Sequence, residues 1–183
     1  MNTPSHFILT AALRRWRFPA APIGAALWGS VAPDLPFYTL TALGYGYYRA
    51  VLGWGSEAAF RWMHGELYFH NPFWIAAHNL LHAPVLVGLA LALLWRYRDP
   101  PGGAGRWWFW FFAACALHSA VDILTHYDDG PLLLFPFDWH TRFHSLVSYW
   151  DPAHHGRQFF VFEVALDVLL LIYLWTKRKE ERT

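Results

Sequence analysis

Three long apolar stretches dominate the pattern of hydrophobic and polar positions along this chain of 183 residues. They cover residues 73–95, 107–125 and 159–175. At about 1.5 Å of rise per residue, a helix over each stretch is long enough to cross hydrocarbon about 30 Å thick. The pattern therefore predicts an all-α integral membrane bundle with three clear transmembrane helices.

The N-terminal region is apolar but interrupted. Residues 18–48 contain several prolines and glycines, so a single straight helix is not expected there. Upstream, Thr3 followed by Pro4 is typical of a helix start with proline in the first turn. We therefore expect an N-terminal helical hairpin, with 4–15 descending and 20–31 rising, or a broken helix. Residues 1–183 are interpreted as one membrane-embedded domain.

The composition supports an integral membrane protein and reduces the number of possible partners and metal sites. Hydrophobic residues make up 56% of the chain, and its 12 tryptophans suit the membrane–water interface. A formal net charge of +1 gives no reason to expect nucleic acid as a partner. The single cysteine, Cys115, excludes a cysteine-rich zinc module.

Arginine and lysine predict the orientation, because cytoplasmic connections collect them. Arg96, Arg98 and Arg106 flank the link between the first two predicted spans, and residues 177–183 form a basic tail. Both are expected inside. The connection 126–158 is rich in aspartate and histidine and is expected outside.

Residues of the types that bind metals recur where the predicted spans approach the outer face. His78 and His82 are four residues apart on the first span. His118 and Asp122 repeat this spacing on the second. Histidines at i and i+4 can give two nitrogens to one metal, and a carboxylate can bridge to a second ion. The expected ligands are His6, Asp34, His78, His82, His118 and Asp122. They would bind one to three divalent ions, with zinc as the expected metal.

Metal-activated water would then carry out hydrolysis without a nucleophilic side chain. Asp122 is expected to take part in catalysis, with Asp128 or His126 as general acid or base. The sequence contains no G-x-S-x-G elbow, P-loop or dinucleotide fingerprint, so covalent and nucleotide-using mechanisms lack support. Glu163 and Asp167 form a further i, i+4 pair inside the last span, where a carboxylate should be protonated, paired or turned toward a cavity.

The order of the motifs resembles a known family. Thr3-x-x-His6 is followed by GAALWGSVAPD, HNLLH, HSAVD and GPLLLFPF. This order resembles the bacterial membrane-bound metal-dependent hydrolase family, whose better-known members are under LexA control. Typical members carry an HRG-x-THS-like element where this chain has HNLLHAP. The chain is also distantly similar to zinc-dependent phospholipase C, an all-helical phosphoesterase.

The resemblance implies a multi-zinc phosphoesterase in the bacterial inner membrane. Because the expected ligands lie near the outer interface, we expect a lipid or lipid-linked substrate there. Two alternatives remain open. Histidines on adjacent spans could ligate haem in an electron carrier, although bis-imidazole ligation gives the aspartates no part. Glu163 and Asp167 could instead form the relay of a metal or proton transporter.

Overall fold

Prolines, glycines and apolar runs divide the chain into helices, which a computed structural model describes for residues 1–180. Within this range the chain contains helices, turns and an isolated antiparallel bridge between Leu132 and Arg142. The α-helices are α1 Thr3–Arg17, α2 Ile23–Val31, α3 Leu35–Gly46, α4 Ser56–Arg61, α5 Tyr68–His70, α6 Pro72–Asn79, α7 Pro84–Leu94, α8 Gly103–Thr125 and α9 Gly156–Glu180. The π-helical segments are Tyr47–Val51 and Trp62–Leu67, and the 3₁₀ turns are Trp95–Tyr97 and Pro152–His154.

Two of the described helices are long and apolar enough to cross a membrane: Gly103–Thr125 and Gly156–Arg178. Helix α6 together with Pro84–Tyr97 passes the same test only as a pair bent by 40°. The predicted span over 73–95 is therefore divided between two helices. Pro84 explains the break, because proline disfavours the helical conformation at the preceding residue, and Ala83 is extended with φ −65° and ψ 121°.

Helix α8 lies at the centre of the bundle and packs against α2 and α7. Gly29 of α2 allows the close approach to α8. A Cβ added at Gly29 would overlap the carbonyl oxygen of Phe111 and lie 2.9 Å from the Cβ of Ala114. The surrounding buried cluster consists of Ala25, Val87, Phe111 and Cys115.

Helix α1 packs against both α2 and α9. The turn between α1 and α2 is held by Arg14, whose guanidinium donates to the carbonyl oxygens of Pro19 at 2.8 Å and Ala21 at 3.0 Å. Arg106, at the start of α8, donates to the carbonyl oxygen of Ala20. Arg14 and Arg106 therefore lie at the same end of the bundle.

The carboxylates of α9 hold the beginning of α1. Glu163 accepts hydrogen bonds from the backbone and side-chain nitrogens of Asn2, both at 2.7 Å. Asp167 accepts one from the Ser5 hydroxyl at 2.7 Å. The pair inside the last predicted span is thus partnered, and it fixes α1 beside α9.

The connection 126–155 folds back onto α6. The buried side chain of Asn79 donates to the carbonyl oxygen of Ile75 and accepts from the backbone nitrogen of Leu132, each at 2.8 Å. Leu132 and Phe135, from the GPLLLFPF motif, are buried against Ile75 and Ala83. The predicted basic tail 177–183 is helical as far as Glu180, and its remaining residues, including Arg182, lie outside the described residues.

Candidate metal centre

Four side chains from separate parts of the described chain converge near the end of α8. Asp34 lies in the turn between α2 and α3, and His82 lies in the break before Pro84. His118 and Asp122 share one face of α8. One ligand atom from each of these four residues lies within 4.8 Å of the others. His82, His118 and Asp122 are buried, and Asp34 is partly buried.

The ligand atoms stand at separations that suit one shared ion. Nε2 of His82 lies 3.1 Å from Nε2 of His118. Nε2 of His118 is 3.0 Å from Asp122 Oδ2 and 3.4 Å from Asp34 Oδ1. Nε2 of His82 is 3.6 Å and 3.5 Å from the same two oxygens. Tetrahedral ligands at about 2.0–2.1 Å from zinc would be roughly 3.3 Å apart.

Hydrogen bonds at Nδ1 determine which nitrogen of His82 and of His118 faces the group of four. Nδ1 of His82 donates to the carbonyl oxygen of His78, and Nδ1 of His118 donates to that of Ser30, both at 2.8 Å. Neutral imidazoles bonded in this way present lone pairs at Nε2. With both imidazoles neutral, two nitrogen lone pairs would face the two carboxylates, an arrangement that a cation stabilises. The donor set fits a divalent metal.

Asp122 also faces α1 through its second oxygen. Oδ1 lies 2.8 Å from Nε2 of His6 and 3.0 Å from the amino group of Met1. The His6 ring stacks on that of His118, with centroids 3.7 Å apart. The structure thus brings His6, an expected ligand, against Asp122, while Oδ2 points to the group of four.

The structure places His78 beside the centre and outside the group of four. Its ring stacks on that of His82 with centroids 4.3 Å apart. Its Nε2 lies 3.0 Å from the hydroxyl of Tyr68, and that hydroxyl donates to the carbonyl oxygen of Asp129 at 2.5 Å. In this position His78 supports His82.

His126 and Asp129 form a pair next to Asp122. Nδ1 of His126 donates to Asp129 Oδ1 at 3.0 Å, and its Nε2 lies 3.6 Å from Asp122 Oδ1. Trp150 donates to the second oxygen of Asp129 at 2.8 Å. Burial alone would raise the pKa of Asp129, but these hydrogen bonds outweigh it and lower the pKa below its ordinary value.

Asp128 is the acidic residue predicted from the sequence in this region, whereas Asp129 was not predicted. Asp128 is exposed at the rim of the cavity. Asp129 stands three residues after His126, the spacing that lets the two side chains meet across a turn, and this was the available signal.

A cavity of about 470 Å³ opens beside the metal centre. Asp34, Asp122, His126 and Asp129 give it a polar part. Aromatic side chains form the remaining wall: Phe37, Tyr38, Tyr68, Phe69, Tyr149 and Trp150. Its volume and mixed lining are those of a small-molecule site.

Comparisons with known proteins do not assign the chain to a family or a fold. No family model matches the chain, and searches of curated proteins and of solved structures return no match either. The interpretation of the site therefore depends on its geometry.

That geometry disfavours both alternatives. Axial imidazoles of a haem stand on opposite faces of the porphyrin, whereas the two Nε2 atoms of His82 and His118 lie 3.1 Å apart, too close to enclose a ring plane. A transport relay would use Glu163 and Asp167, but these carboxylates already accept hydrogen bonds from Asn2, which precedes α1, and from Ser5 in its first turn.

Proposed function

We propose that the chain is a membrane-embedded metal-dependent hydrolase that cleaves a phosphoester of a lipid or lipid-linked substrate. The observation that carries this proposal is the convergence of four hydrogen-bond acceptors, Nε2 of His82 and His118 with Oδ atoms of Asp34 and Asp122, in a buried group beside a cavity. Zinc is the metal we propose, because two imidazoles and two carboxylates without thiolates form a set it accepts.

A divalent cation held by Asp34, His82, His118 and Asp122 would supply Lewis acidity for activating water and for offsetting charge on a phosphoryl oxygen. The protein supplies the proton transfer. Because Nδ1 of His126 donates to Asp129, its Nε2 is free to accept a proton beside Asp122. Burial raises the pKa of Tyr149, so its hydroxyl at the cavity wall stays a neutral donor.

The membrane arrangement supports a lipid substrate. We propose that the bent pair α6–α7 is a third membrane segment, that α1 and α2 form a hairpin, and that the metal centre faces the outer side of a bacterial inner membrane. An amphipathic substrate already holds its head group at the interface, and the aromatic wall of the cavity suits its apolar part. A water-soluble substrate would gain little from this placement.

Metal analysis and turnover together test the proposal. Purified, detergent-solubilised wild type should contain on the order of one or more divalent ions per chain, and Asp122→Ala should lose them. His140→Gln is the matched control, since His140 is an exposed histidine of the same connection. Wild type and control should hydrolyse phospholipids or undecaprenyl-type phosphates, with products followed by mass spectrometry, and a chelator should stop the reaction.

Three results would contradict the proposal. Negligible metal in both wild type and Asp122→Ala would remove its basis. Turnover that survives complete metal removal would exclude the metal-dependent mechanism. Turnover confined to soluble esters would exclude a lipid substrate. A Soret band in the purified protein would favour the haem carrier.

A further inference from the structure

A helical arm, residues 35–70, extends from the bundle and is not explained by the metal centre. Its first helix is α3 continued by Tyr47–Val51, and its second runs from α4 to α5. At about 1.5 Å per residue each is roughly 22–25 Å long. The two helices meet where Gly44 faces Met63: a Cβ on Gly44 would lie 2.7 Å from the sulfur of Met63, which is fully buried. The arm is thus a packed unit.

The first helix of the arm leaves large apolar side chains uncovered. Leu43 and Val51 are each 68% exposed, and Tyr47 is 52% exposed. No charged residue occurs between positions 35 and 48. Contiguous apolar surface of this kind is rare on proteins in water, so it indicates a contact surface.

The second helix of the arm carries charged side chains as well as two exposed aromatic ones, Phe60 and Trp62. Glu57 and Arg61 form an exposed i, i+4 ion pair at 3.2 Å. At the tip, Trp54 contacts the rings of Tyr48 and Trp62, with centroids 4.8 Å and 6.0 Å apart. The first helix carries one charged residue, Arg49, which lies toward the tip and donates to the carbonyl oxygen of Trp54 at 2.6 Å. An apolar helix with charge only near its tip, a second helix with charged side chains and an aromatic tip are features of a segment that lies in the membrane–water interface.

Both ends of the arm are attached at the level of the metal centre. The arm begins directly after Asp34, which follows α2, and α2 packs along the candidate membrane helix α8. It ends two residues before Pro72, the start of α6, and α3 packs against α6. These attachments make the apolar surface of the arm continuous with the membrane-embedded helices.

We propose that the arm is an interfacial membrane anchor whose α3 side contacts lipid while the Glu57–Arg61 face of α4 contacts water. Phe37, Tyr38, Tyr68 and Phe69, at the base of the arm, line the cavity, so this placement puts the cavity opening at the level of the lipid head groups. The inference is independent of the proposed hydrolysis, because contact with lipid is measured without turnover.

Site-directed spin labelling tests the placement. Cys115 is the only cysteine, so Cys115→Ala provides the background for single labels at Leu43→Cys, Tyr47→Cys and Val51→Cys. The full chain is reconstituted in vesicles of phosphatidylethanolamine and phosphatidylglycerol. Power saturation compares collision with oxygen, which partitions into lipid, and with a water-soluble nickel chelate. Glu57→Cys is the matched control within the arm, and Val168→Cys, 51% exposed on α9, is the reference for lipid contact.

The labels on the first helix should favour oxygen over the chelate, as at Val168, while Glu57 shows the reverse. Three positions are used so that a variant that fails to fold, judged by gel filtration, leaves two others. If labels at folded positions are as accessible to the chelate as Glu57, the arm is in water and the inference is wrong. Low accessibility to both reagents, with spin–spin coupling between chains, would show instead that a second copy covers the arm.

Discussion

Two backbone carbonyl groups control the metal centre at the scale of single residues. They accept the Nδ1 protons of His82 and His118 and so direct both Nε2 lone pairs into one space. A cation in that space would be held by both lone pairs and by the carboxylates of Asp34 and Asp122. The residues are therefore arranged for an ion, and each should have a distinct effect on binding it.

His82 and His78 provide a direct comparison. His82→Gln removes a nitrogen from the group of four and should abolish most metal binding. His78→Gln should retain the metal with affinity reduced by about 10- to 100-fold at most, because His78 contacts His82 and Tyr68 and supports the ligand from outside. Elemental analysis after purification with one equivalent of zinc measures both. Equal loss of metal would show that His78 binds the ion directly.

Asp129 should control the protonation of His126. Burial lowers the pKa of His126, but hydrogen bonds and charges from Asp122 and Asp129 outweigh it and raise the pKa above its ordinary value. A base must be neutral to accept a proton, so activity should fall as the pH drops through the pKa of His126.

Asp129→Asn removes one of the two carboxylates that stabilise the imidazolium. The acid limb of the pH–rate profile should move to lower pH, and turnover should fall by about 10- to 100-fold with metal content unchanged. Asp128→Asn, at the exposed neighbouring position, is the control and should leave the limb in place. If the acid limb of the pH–rate profile does not shift in Asp129→Asn, His126 is not the group that accepts the proton.

Sequence spacing predicted part of this site and could not predict the rest. The i, i+4 interval places His118 and Asp122 on one face of α8, and helical geometry suffices for that. The same interval between His78 and His82 does not place both rings at the centre, because α6 ends at Asn79 and His82 lies in the break. Asp34 was an expected ligand because of its residue type, but spacing could not place it. It joins the site through a turn, as does Asp129, which was not predicted, and the directions of turns depend on long-range packing.

At the scale of helices, Pro84 and Asn79 explain why the first apolar stretch is broken. Pro84 forces Ala83 out of the helical conformation, and the backbone nitrogen of Ala83 donates to the carbonyl oxygen of Asn79 at 2.8 Å. Irregular backbone at this depth is tolerated when protein covers it, and His82 and Ala83 are fully buried. The hydrophobic pattern shows only how long the apolar stretch is, so it could not predict the bend between α6 and α7.

The crossing of α2 and α8 depends on a glycine. Gly29→Ala places a methyl group against the carbonyl oxygen of Phe111, and relief of that overlap should cost about 1–3 kcal/mol. Because the Ser30 carbonyl next to it binds His118, the metal centre should also be weakened. Thermal unfolding in detergent measures the first effect and elemental analysis the second.

Gly88→Ala is the matched control for this crossing. Gly88 lies within α7, and an added Cβ there would meet no atom within 4 Å. Alanine should leave stability unchanged or raise it slightly, since it favours helix more than glycine does. If both variants lose stability equally, the close approach at Gly29 is not the cause.

At the scale of the whole molecule, a group of arginines and the candidate metal centre lie at opposite ends of the bundle. The metal centre uses the C-terminal part of α8, whereas Arg106 at its beginning holds the turn between α1 and α2. A second cavity at the arginine end is lined by Arg14, Arg98 and Trp110. Helix α1 connects the two ends, because His6 touches Asp122 and Arg14 lies at the turn.

This separation predicts the orientation in the membrane. Arginines are retained on the cytoplasmic side, so the end that carries Arg14, Arg98 and Arg106 should be inside and the connection 126–155 outside. A periplasmic phosphatase reporter fused after Asp151 should be active, and a fluorescent reporter fused to the C-terminus of the full chain should fold in the cytoplasm. Replacing Arg98 and Arg106 with glutamine should weaken this preference, while the same change at Arg157, in the outer connection, should not. Opposite reporter signals would place the metal centre at the cytoplasmic face, and a substrate in the inner leaflet would then have to be sought.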